Sequence, residues 1–453
     1  MKIQIHDTAL LRPSSTPFTA SHTLQLSYID SDPNLNTSFR YVRVYPSSYG
    51  AGDVASRDPY VVISTALSSA LVHYYPFTGS LRSASRGDRL ELHCAADGGL
   101  PLIQATADCS LYSVDYLDGA DPGFVDGLAP DPDPVQMRGN PCWLQVTTFK
   151  CGGFCLGAAI HHAMCDGAGG TQFFIAVAEM ARGAGRVSVE PVWGREVLLR
   201  PREPARDDAG VGGYLCERGY VSYEDGNRGG EMAREYLEVR EEWVEKLKAW
   251  MMEKCGSKFT TFEALGAFIW RAKVKVSGIP EDEQVKFAYS ADIRKRLEPP
   301  LPAGYWGNGC VPIYAQQTAQ NLLCEPIWST AELIRKSKGN ICNAYARSYI
   351  DFQMMNQGEV VVSAGKHISG FTDWRHLGHS AVDFGWGGPV NVVPLSRQIL
   401  GSTEACFFLP LCSIGGEEKG RFRVLVNMKR SCVDEFKEEI AKLSRMDFEA
   451  SRL

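Results

Sequence analysis

The N-terminal part of the chain alternates short stretches with strand periodicity and a longer stretch with helical spacing. HTLQLSYID, FRYVRVY and RLELHC are rich in β-formers, and they predict strands at residues 22–30, 39–45 and 89–94. From Tyr60 onward, apolar residues recur every three or four positions, which predicts a buried helix that ends in a turn at Pro76. Strands and helices are therefore mixed along the chain from its start.

Residues 143–160 predict a β-hairpin that leads to a group of polar side chains. WLQVTTF alternates, KCGG supplies the turn, and FCLGAAI forms a return strand of small residues. His161, His162 and Asp166 follow at once, and the glycines after Asp166 permit a sharp turn into the helix TQFFIAVAEMARG. The hairpin therefore brings two imidazoles and a carboxylate to one end of a strand.

A change of composition at residues 184–231 predicts a linker between two domains. This stretch is rich in glycine, proline and charged residues and has little periodicity. We expect an N-terminal domain at residues 1–183, the linker at 184–231 and a C-terminal domain at 232–453. A chain of 453 residues also exceeds what one hydrophobic core usually serves, which favours two domains.

The C-terminal part continues the mixture of elements. EEWVEKLKAWMMEK has helical spacing, and TTFEALGAFIWRAKVKV begins with Thr260 and Glu263 at the spacing of a capping box. Strands are predicted in VKFAYSAD, AVDFGWGGPVNVVPL and RFRVLVNM. The predicted fold class is therefore α/β with mixed sheets.

Composition and charge exclude several classes of partner. Hydrophobic residues make up 44% and charged residues 22% of the chain, as in ordinary globular proteins. The net charge of −6 argues against non-specific binding to nucleic acid or to anionic membranes. The charge-free run from Tyr60 to Leu81 contains serines, a histidine and a proline, so it predicts no membrane-spanning helix. We expect a soluble protein.

The two ends of the chain bear on its localisation. The start, MKIQIHDTALLRPSSTPF, lacks the apolar core and cleavage site of a signal peptide, so the 14 cysteines are expected to be reduced. The chain ends in Ser451, Arg452 and Leu453, which resemble the tripeptide that a peroxisomal import receptor recognises. The expected compartment is therefore the cytoplasm or the peroxisome.

The polar group that follows the hairpin is compatible with several kinds of site. Residues 151–166 contain cysteines, histidines and an aspartate, but they lack repeated C-x2-4-C pairs and histidines spaced i, i+4, so no metal site is predicted. The chain has no G-x-S-x-G elbow and no P-loop. A histidine at a strand end can act as a general base toward a hydroxyl or an amine. It can equally be a hydrogen-bonded core residue, and this stretch by itself leaves both readings open.

Two motifs that lie far apart in the chain change this balance. His162 to Gly167 form H-x-x-x-D-G, and Asp383 to Gly387 form DFGWG. In this order and in a chain of this length, they resemble the BAHD family of plant acyl-CoA-dependent acyltransferases. The resemblance covers essentially the whole chain and includes YYPFTGSLR, QVTTFKCGG, FEALGAFIWRA, DIRKRLEPPLPAGYWGN and TDWRHLG.

The resemblance implies the CoA-dependent acyltransferase fold. Two similar mixed-sheet domains would enclose a solvent channel and be joined by a long crossover loop, which residues 184–231 match. Acyl-CoA would be a co-substrate, a small molecule the acceptor, and no cofactor would be permanently bound. The protein would be a monomer.

The resemblance also implies roles for the motif residues. His162 would lie in mid-channel as the general base, and Asp166 would support its loop, turned from the substrate and ion-paired, with Arg294 as the candidate partner. Strand alternation lets only one of the adjacent histidines face the channel, and the spacing to Asp166 favours His162 over His161. Gly167 would belong to the structural part of the motif.

Further residues receive expected roles by the same resemblance. In DFGWG, Asp383 would be ion-paired and Gly385 and Gly387 would permit tight turns; the motif would be structural throughout, including Phe384 and Trp386. Thr372 and Trp374 would contact the acceptor and hold the tetrahedral oxyanion, or Trp374 would only pack in the core. The helix start at Thr260 and Thr261 would bind a CoA phosphate, or would be a simple cap.

The expected substrates are inferred only from the branch of the family that the sequence resembles. CGGF, EMARG, PVWGREVL and PPLPAGYWGN look most similar to the benzoyl-, acetyl- and hydroxycinnamoyl-CoA alcohol acyltransferases. We expect an aromatic acyl-CoA, benzoyl- or hydroxycinnamoyl-CoA, and an alcohol acceptor in plant specialised metabolism. An amine or polyamine acceptor is the alternative, since a histidine base serves both. A non-catalytic relative that binds ligands in the same channel is an alternative of another class.

Overall fold

The computed structural model describes residues 1–47, 57–84, 89–215, 232–356, 367–396, 404–410 and 420–445. The strands within these ranges are β1 (Ile3–Leu11), β2 (His22–Gln25), β3 (Ser38–Tyr45), β4 (Ser80–Ser83), β5 (Leu90–Cys94), β6 (Leu100–Ala107), β7 (Cys142–Phe149), β8 (Phe154–His161), β9 (Met232–Arg240), β10 (Gln284–Asp292), β11 (Cys310–Thr318), β12 (Ile368–Asp373), β13 (Asn391–Pro394), β14 (Glu404–Pro410) and β15 (Arg421–Lys429). The α-helices are α1 (Pro59–Ala70), α2 (Pro122–Asp126), α3 (Pro134–Gly139), α4 (Gly167–Ala181), α5 (Arg195–Leu198), α6 (Gly212–Leu215), α7 (Glu241–Cys255), α8 (Thr261–Val276), α9 (Ala319–Cys324), α10 (Ile327–Lys338), α11 (Asn343–Met355) and α12 (Val433–Arg445).

Two six-stranded sheets form the framework. The first has the order β1-β6-β7-β8-β3-β13 and the second the order β11-β10-β12-β14-β15-β9, while β2, β5 and β4 form a small third sheet. The pairs β6/β7, β10/β12 and β12/β14 are parallel and the other pairs in the two large sheets are antiparallel. The α/β class with two mixed sheets is therefore confirmed.

Strand β8 lies inside the first sheet, between β7 and β3, and it is buried along its whole length. Its small residues are required by close neighbours: a Cβ at Gly157 would lie 2.1 Å from the carbonyl oxygen of Leu128. The predicted hairpin is present as β7 and β8, paired antiparallel. Helix α4 follows at once and packs against α1. This packing fixes the strand end from which the H-x-x-x-D-G motif begins.

Helix α8 is the central helix of the second half. It opens with the predicted capping box, in which the Thr260 hydroxyl accepts from the Glu263 N–H and the Glu263 carboxylate accepts from the Thr260 N–H. Most of its length is buried, including Trp270, and α7, α10 and α12 pack around it. Because it also contacts β12, this helix supports the sheet that faces the cavity described below.

The two halves of the chain share the first sheet. Strand β13, from the C-terminal half, pairs antiparallel with β3, with Asn391 opposite Val44. In the segment 184–231, the described residues reach 215, and Arg195 within them is fully buried. The domain limits at 183 and 232 stay a prediction, because the sheet itself crosses from one half to the other.

Two predicted strands are longer than the observed ones. In residues 22–30, strand β2 ends at Gln25, because the Ser27 hydroxyl and N–H both donate to the Asp30 carboxylate and turn the chain. In AVDFGWGGPVNVVPL, only Asn391–Pro394 forms a strand. The preceding glycines adopt left-handed backbone, with φ of 107° at Gly385 and 86° at Gly387, which a continuous strand excludes.

In the ranges the structure describes, none of the helices is long and apolar enough to span a bilayer. The C-terminal tripeptide Ser451 to Leu453 lies outside the described residues. The peroxisomal reading of that tripeptide therefore stays a prediction.

Candidate active site

Residues from both large sheets line a cavity of about 560 Å³. It is bounded by β3, the end of β8 and the start of α4 on one side and by β10, β11 and β12 on the other. Of the residues singled out in the sequence, five line this cavity: His162, Asp166, Gly167, Thr372 and Trp374. The cavity therefore collects residues from both halves of the chain around the H-x-x-x-D-G motif.

His162 follows the last residue of β8 and its ring lines the cavity. Its N–H donates to the Thr37 carbonyl at 2.8 Å, and its carbonyl accepts from the Asn308 amide at 2.9 Å. The ring meets Phe39 edge to face, with 5.9 Å between centroids. Nδ1 is buried and has no hydrogen-bond partner in the described part of the chain, which leaves Nε2 as the nitrogen available to a molecule in the cavity.

His161 has a different environment. It is only 4% exposed, it is not among the residues that line the cavity, and its Nδ1 accepts from the Ala163 N–H at 3.2 Å. Burial, with smaller effects from His162 and Arg138, lowers the pKa of His161 to about 4. This ring is a neutral, hydrogen-bonded part of the turn, and of the two adjacent histidines it is His162 that reaches the cavity.

Asp166 is bound on both carboxylate oxygens. Arg294 donates to Oδ2 through Nη1 and to Oδ1 through Nη2, each at 2.9 Å. Oδ1 also accepts from the Gly169 N–H, where Asp166 caps α4, and Oδ2 accepts from the Gly309 N–H. The carboxylate is therefore occupied by four donors, and it joins the motif to two segments of the second half rather than orienting the His162 ring.

Asp30, Arg195 and Asn308 form a second buried network that sequence analysis did not predict. Asn308 donates to Asp30 Oδ1 from its N–H at 3.1 Å and from its amide at 2.8 Å, and Arg195 Nη1 lies 3.4 Å from the same oxygen. Arg195 also donates to the carbonyls of Ala163 and Met164, as Asn308 does to that of His162. Asn308 and Arg195 thus hold three successive carbonyls of the turn after β8, and Asp30 binds both of these donors.

Only a weak signal for this network exists in the sequence. Asp30 ends the stretch LSYID, and Asn308 and Arg195 lie in PPLPAGYWGN and PVWGREVL, which resemble the family. Nothing in the spacing of these residues predicts that they meet.

We expect Asn308→Ala to lower kcat about 10- to 100-fold with KM nearly unchanged, since the His162 carbonyl would lose its donor and the ring would shift. Stability should fall by about 1–3 kcal/mol, because Asp30 loses the side-chain amide of Asn308 as a donor while the backbone N–H of residue 308 remains. Steady-state kinetics and thermal unfolding measure both effects.

Asn391→Ala is the matched control for this prediction. Asn391 has a buried amide that is bonded to Tyr116 and Arg423 and does not line the cavity, so stability should fall without a change in kcat. Equal kcat in both variants would contradict a positioning role.

Asp32 is a second carboxylate that the sequence analysis missed. It lines the cavity, and burial raises its pKa above the ordinary value. Its Oδ2 accepts from the Tyr349 hydroxyl at 2.5 Å and from the Gln353 amide at 3.2 Å, and its Oδ1 accepts from the Asn34 N–H and amide. Since both oxygens are occupied, Asp32 ties the N-terminal loop to α11.

The DFGWG motif lies away from the cavity lining. Asp383 Oδ1 accepts from the N–H groups of Gly385 and Gly387, at 2.7 and 2.8 Å, and its carbonyl accepts from Arg182. Among the described residues this carboxylate caps its own turn and forms no ion pair, so the expected ion pair at Asp383 stays a prediction. Phe384 and Trp386 are buried and pack on Tyr45 and Phe154, respectively.

Thr372 lies near the end of β12 and Trp374 follows the last residue of that strand. Both residues line the cavity. The Trp374 N–H of the backbone donates to the Phe408 carbonyl at 2.8 Å, which anchors this residue to β14. Its ring contacts Phe39, with 5.5 Å between centroids, and Phe39 in turn contacts the His162 ring. Trp374 is therefore both packed and cavity-facing, one aromatic ring away from His162.

Thr260 and Thr261 do not line the cavity. The capping box uses the Thr260 hydroxyl and N–H, and Lys338 Nζ lies 2.7 Å from the Glu263 carboxylate and 3.4 Å from the Thr260 hydroxyl. The next residue, Phe262, and Lys338 do line the cavity. The helix start therefore adjoins one end of the cavity.

Metal and thiol chemistry receive no support at the motif. Over the described ranges, no group of three or more His, Cys, Asp or Glu residues is arranged to hold a metal ion. Burial, with a smaller contribution from Asp166, raises the pKa of Cys165 to about 12, so its thiol is protonated at neutral pH. Of the alternatives for the motif, a general base is the one that this geometry favours.

Comparison with known proteins identifies related enzymes. The chain is 33% identical over 417 residues to 3'-N-debenzoyl-2'-deoxytaxol N-benzoyltransferase of Taxus canadensis, with 92% of this chain and 90% of the relative covered. It is 31% identical over 458 residues to spermidine coumaroyl-CoA acyltransferase of Arabidopsis thaliana, covering 97% and 95%. Taxadien-5-alpha-ol O-acetyltransferase of Taxus chinensis is 34% identical over 379 residues, covering 83% of each.

Solved structures share the fold. Vinorine synthase superposes with a TM-score of 0.72 at 17% identity, covering 98% of each chain. TRI101 of F. sporotrichioides, in complex with coenzyme A and T-2, gives 0.73 at 15% identity, covering 92% of this chain and 97% of that one. The chain also matches the Transferase family over residues 1–443. With both motifs, two mixed sheets and relatives aligned over most of its length, this chain belongs to that family, the BAHD acyl-CoA-dependent acyltransferases.

Proposed function

We propose that this enzyme transfers an aromatic acyl group, benzoyl or hydroxycinnamoyl, from acyl-CoA to the hydroxyl of an alcohol, with His162 as the general base. One observation carries the proposal: the His162 ring lines a cavity shared by both halves, while its neighbour His161 is buried and Asp166 is occupied by other partners. An imidazole so placed can accept a proton from a nucleophile in the cavity.

The reaction follows from that placement. The acceptor oxygen attacks the thioester carbonyl carbon as His162 Nε2 takes the hydroxyl proton, which gives a tetrahedral intermediate. Thr372 and Trp374 line the same cavity, and their hydroxyl and indole N–H are the donors we assign to the oxyanion. When the C–S bond breaks, His162 returns the proton to the CoA sulfur. General-base catalysis contributes about 10²–10⁴-fold and positioning in the cavity supplies much of the rest.

The lining of the cavity supports an aromatic donor. Phe39, Phe262, Tyr289 and Phe371 all line it, and aromatic side chains bury planar groups well. Relatives that act on benzoyl and coumaroyl groups support the same class of acyl-CoA.

The co-substrate needs a place for its phosphates. We assign one CoA phosphate to the start of α8 at Thr260 and Thr261, where Lys338 adds a positive charge beside the cavity. Acyl-CoA acts as a co-substrate, with no permanently bound cofactor, and we expect a monomer. Residues 184–231 are assigned as the crossover between the two halves, and the cytoplasm or peroxisome as the compartment.

A grid of donors against acceptors tests this function. Benzoyl-, coumaroyl- and acetyl-CoA are each combined with a panel of alcohols and amines, including spermidine, and free thiol release is measured with product analysis. We expect the highest kcat/KM for an aromatic donor with an alcohol.

Relatives named for N-benzoyl and spermidine transfer make an amine acceptor the second candidate, and preference for the amines in the grid would replace the alcohol. Saturable binding of acyl-CoA without turnover of any pair would contradict the enzyme proposal and favour a ligand-binding protein.

A further inference from the structure

Arg43 is a buried arginine on the cavity wall. On β3, Phe39, Tyr41 and Arg43 share the face that lines the cavity, and Phe39 contacts the His162 ring. The Arg43 side chain is 0% exposed, and its guanidinium lies over the rings of Phe174 and Tyr41, 4.3 and 4.8 Å from their centroids. The positive charge is therefore held between aromatic faces in the wall of the same cavity.

The hydrogen bonds of this guanidinium are few and long. Nη1 donates to the Tyr41 hydroxyl at 3.3 Å and Nη2 to His379 Nδ1 at 3.5 Å. Nε is buried with no partner, and no carboxylate forms an ion pair with Arg43, in the parts of the chain that the structure describes. A cation–π contact stabilises a buried charge only in part, because its energy is smaller than the free-energy cost of removing the ion from water.

The other buried arginines of the described chain each have an anion or a carbonyl as a partner, although Nε of Arg195 and of Arg423 is also buried without a partner among the described residues. Arg195 has Asp30 and two carbonyls, and Arg423 has Asp118 and the Asn391 amide oxygen. Arg271 donates to the carbonyls of Leu322, Leu323 and Glu325. Arg43 differs from all three, because its polar partners are a hydroxyl and an imidazole, neither of them an anion or a carbonyl.

The neighbours of Arg43 are left as donors. Because a guanidinium can only donate, His379 Nδ1 must be the acceptor, and the proton of this neutral ring lies on Nε2. Nε2 is also buried with no partner among the described residues. The Tyr41 oxygen likewise accepts from Arg43, so its own O–H is free to donate. Tyr41 and His379 line the cavity with 7% and 6% exposure, in contact with the fully covered cation.

We infer that Tyr41, Arg43 and His379 form a carboxylate-recognition site in the cavity, for an acidic group carried by one of the two substrates. The site offers three donors, a net positive charge and no acceptor, which is the complement of a carboxylate. Because Arg43 Nε and His379 Nε2 are buried, a bound carboxylate reaches these two donors only if their side chains turn toward the cavity. The inference rests on the proposed function only in treating this cavity as the place where substrates bind.

Matched pairs of ligands that differ by one carboxylate test the site. Glutaryl-CoA against pentanoyl-CoA tests an acid on the acyl group. On the acceptor, 4-(hydroxymethyl)benzoate is compared with 4-methylbenzyl alcohol, and 4-(aminomethyl)benzoate with 4-methylbenzylamine. Dissociation constants of each ligand alone, from calorimetry with the full-length protein, require no turnover. We expect the acid to bind about 10- to 100-fold more tightly than its neutral analogue in one of the two arms, the strength of a charge-assisted hydrogen bond.

Variants of Arg43 decide the cause of such a preference. Arg43→Met should remove it and Arg43→Lys should keep part of it, with the fold retained as shown by circular dichroism. Arg40→Met is the matched control, since Arg40 lies on the opposite face of β3, bonded to Asp126 and nearby carbonyls, and should leave the preference unchanged. The arm that responds identifies the substrate bearing the acid.

Two outcomes would overturn the site: no preference for the acid in either arm, or a preference that survives Arg43→Met. In the second case Arg43 would be only a structural cation–π residue. These outcomes are separate from the fate of the proposed function. Thiol release with neutral donors and acceptors would show that the transferase proposal stands without the acid site, whereas Arg43-dependent binding without turnover would show the reverse.

Discussion

His162→Ala is expected to abolish acyl transfer while the protein stays folded. The imidazole that lines the cavity is the group we assign to proton transfer, and its loss should lower kcat by at least about 10²–10⁴-fold. The side chain is half-buried, its ring has one aromatic contact of 5.9 Å, and its backbone bonds to Thr37 and Asn308 do not depend on the ring. Thiol release with the best substrate pair, beside circular dichroism and thermal unfolding, measures the two effects.

His161→Asn is the matched control. An asparagine oxygen can replace Nδ1 as the acceptor of the Ala163 N–H, so the turn should persist and most activity with it. The pKa of about 4 at His161, which burial causes, makes this ring a poor proton acceptor. An inactive His161→Asn together with an active His162→Ala would reverse the assignment of the base.

Asp166→Asn and Arg294→Leu are expected to be the most destabilising single substitutions at the site. Asp166 and Arg294 form a buried ion pair with two hydrogen bonds, and each substitution leaves one of them without its counter-charge. Such a loss usually lowers the free energy of unfolding by about 3–5 kcal/mol. Activity should fall with stability, because the loop that carries His162 loses its tie to Gly309 and Arg294. Chemical denaturation measures the stability, and Glu238→Gln, which breaks a surface pair with Arg421, should cost about 1 kcal/mol or less.

Acid sensitivity gives an independent measure of the same pair. Burial by itself would raise the pKa of Asp166, but Arg294 and the N–H groups of Gly169 and Gly309 lower it to about 2, against an ordinary value of 3.8. The lower pKa belongs to the folded state, so ionised Asp166 adds to the free energy of unfolding. This contribution is complete above about pH 5 and is lost as the pH falls toward 2. It amounts to about 2 kcal/mol, and Asp166→Asn should lack this part of the pH dependence. A variant with full stability but a kcat as low as that of His162→Ala would instead assign Asp166 to the chemistry.

Local patterns in the sequence were sufficient for most of the elements. The hairpin ending at His161, helix α4 and the capping box of α8 each follow from residues close together in the chain, and each is present. The strand expected across AVDFGWGGPVNVVPL is wrong for its first part, because the pattern of apolar residues does not reveal the left-handed backbone at Gly385 and Gly387. The same turn brings the N–H groups of Gly385 and Gly387 to the Asp383 carboxylate, a contact that the pattern of apolar residues does not reveal either.

The sequence by itself determined the family, the motif histidine and its aspartate, because these reside in short stretches whose residue types and order are distinctive. Only the tertiary structure decided which side chains meet around that motif. Asp30, Arg195 and Asn308 converge on one turn, and Arg43 faces His379 across the cavity wall, from positions that no periodicity connects. The physical reason is that hydrogen bonds and charge pairing depend on distances between segments far apart in the chain, and folding alone sets those distances.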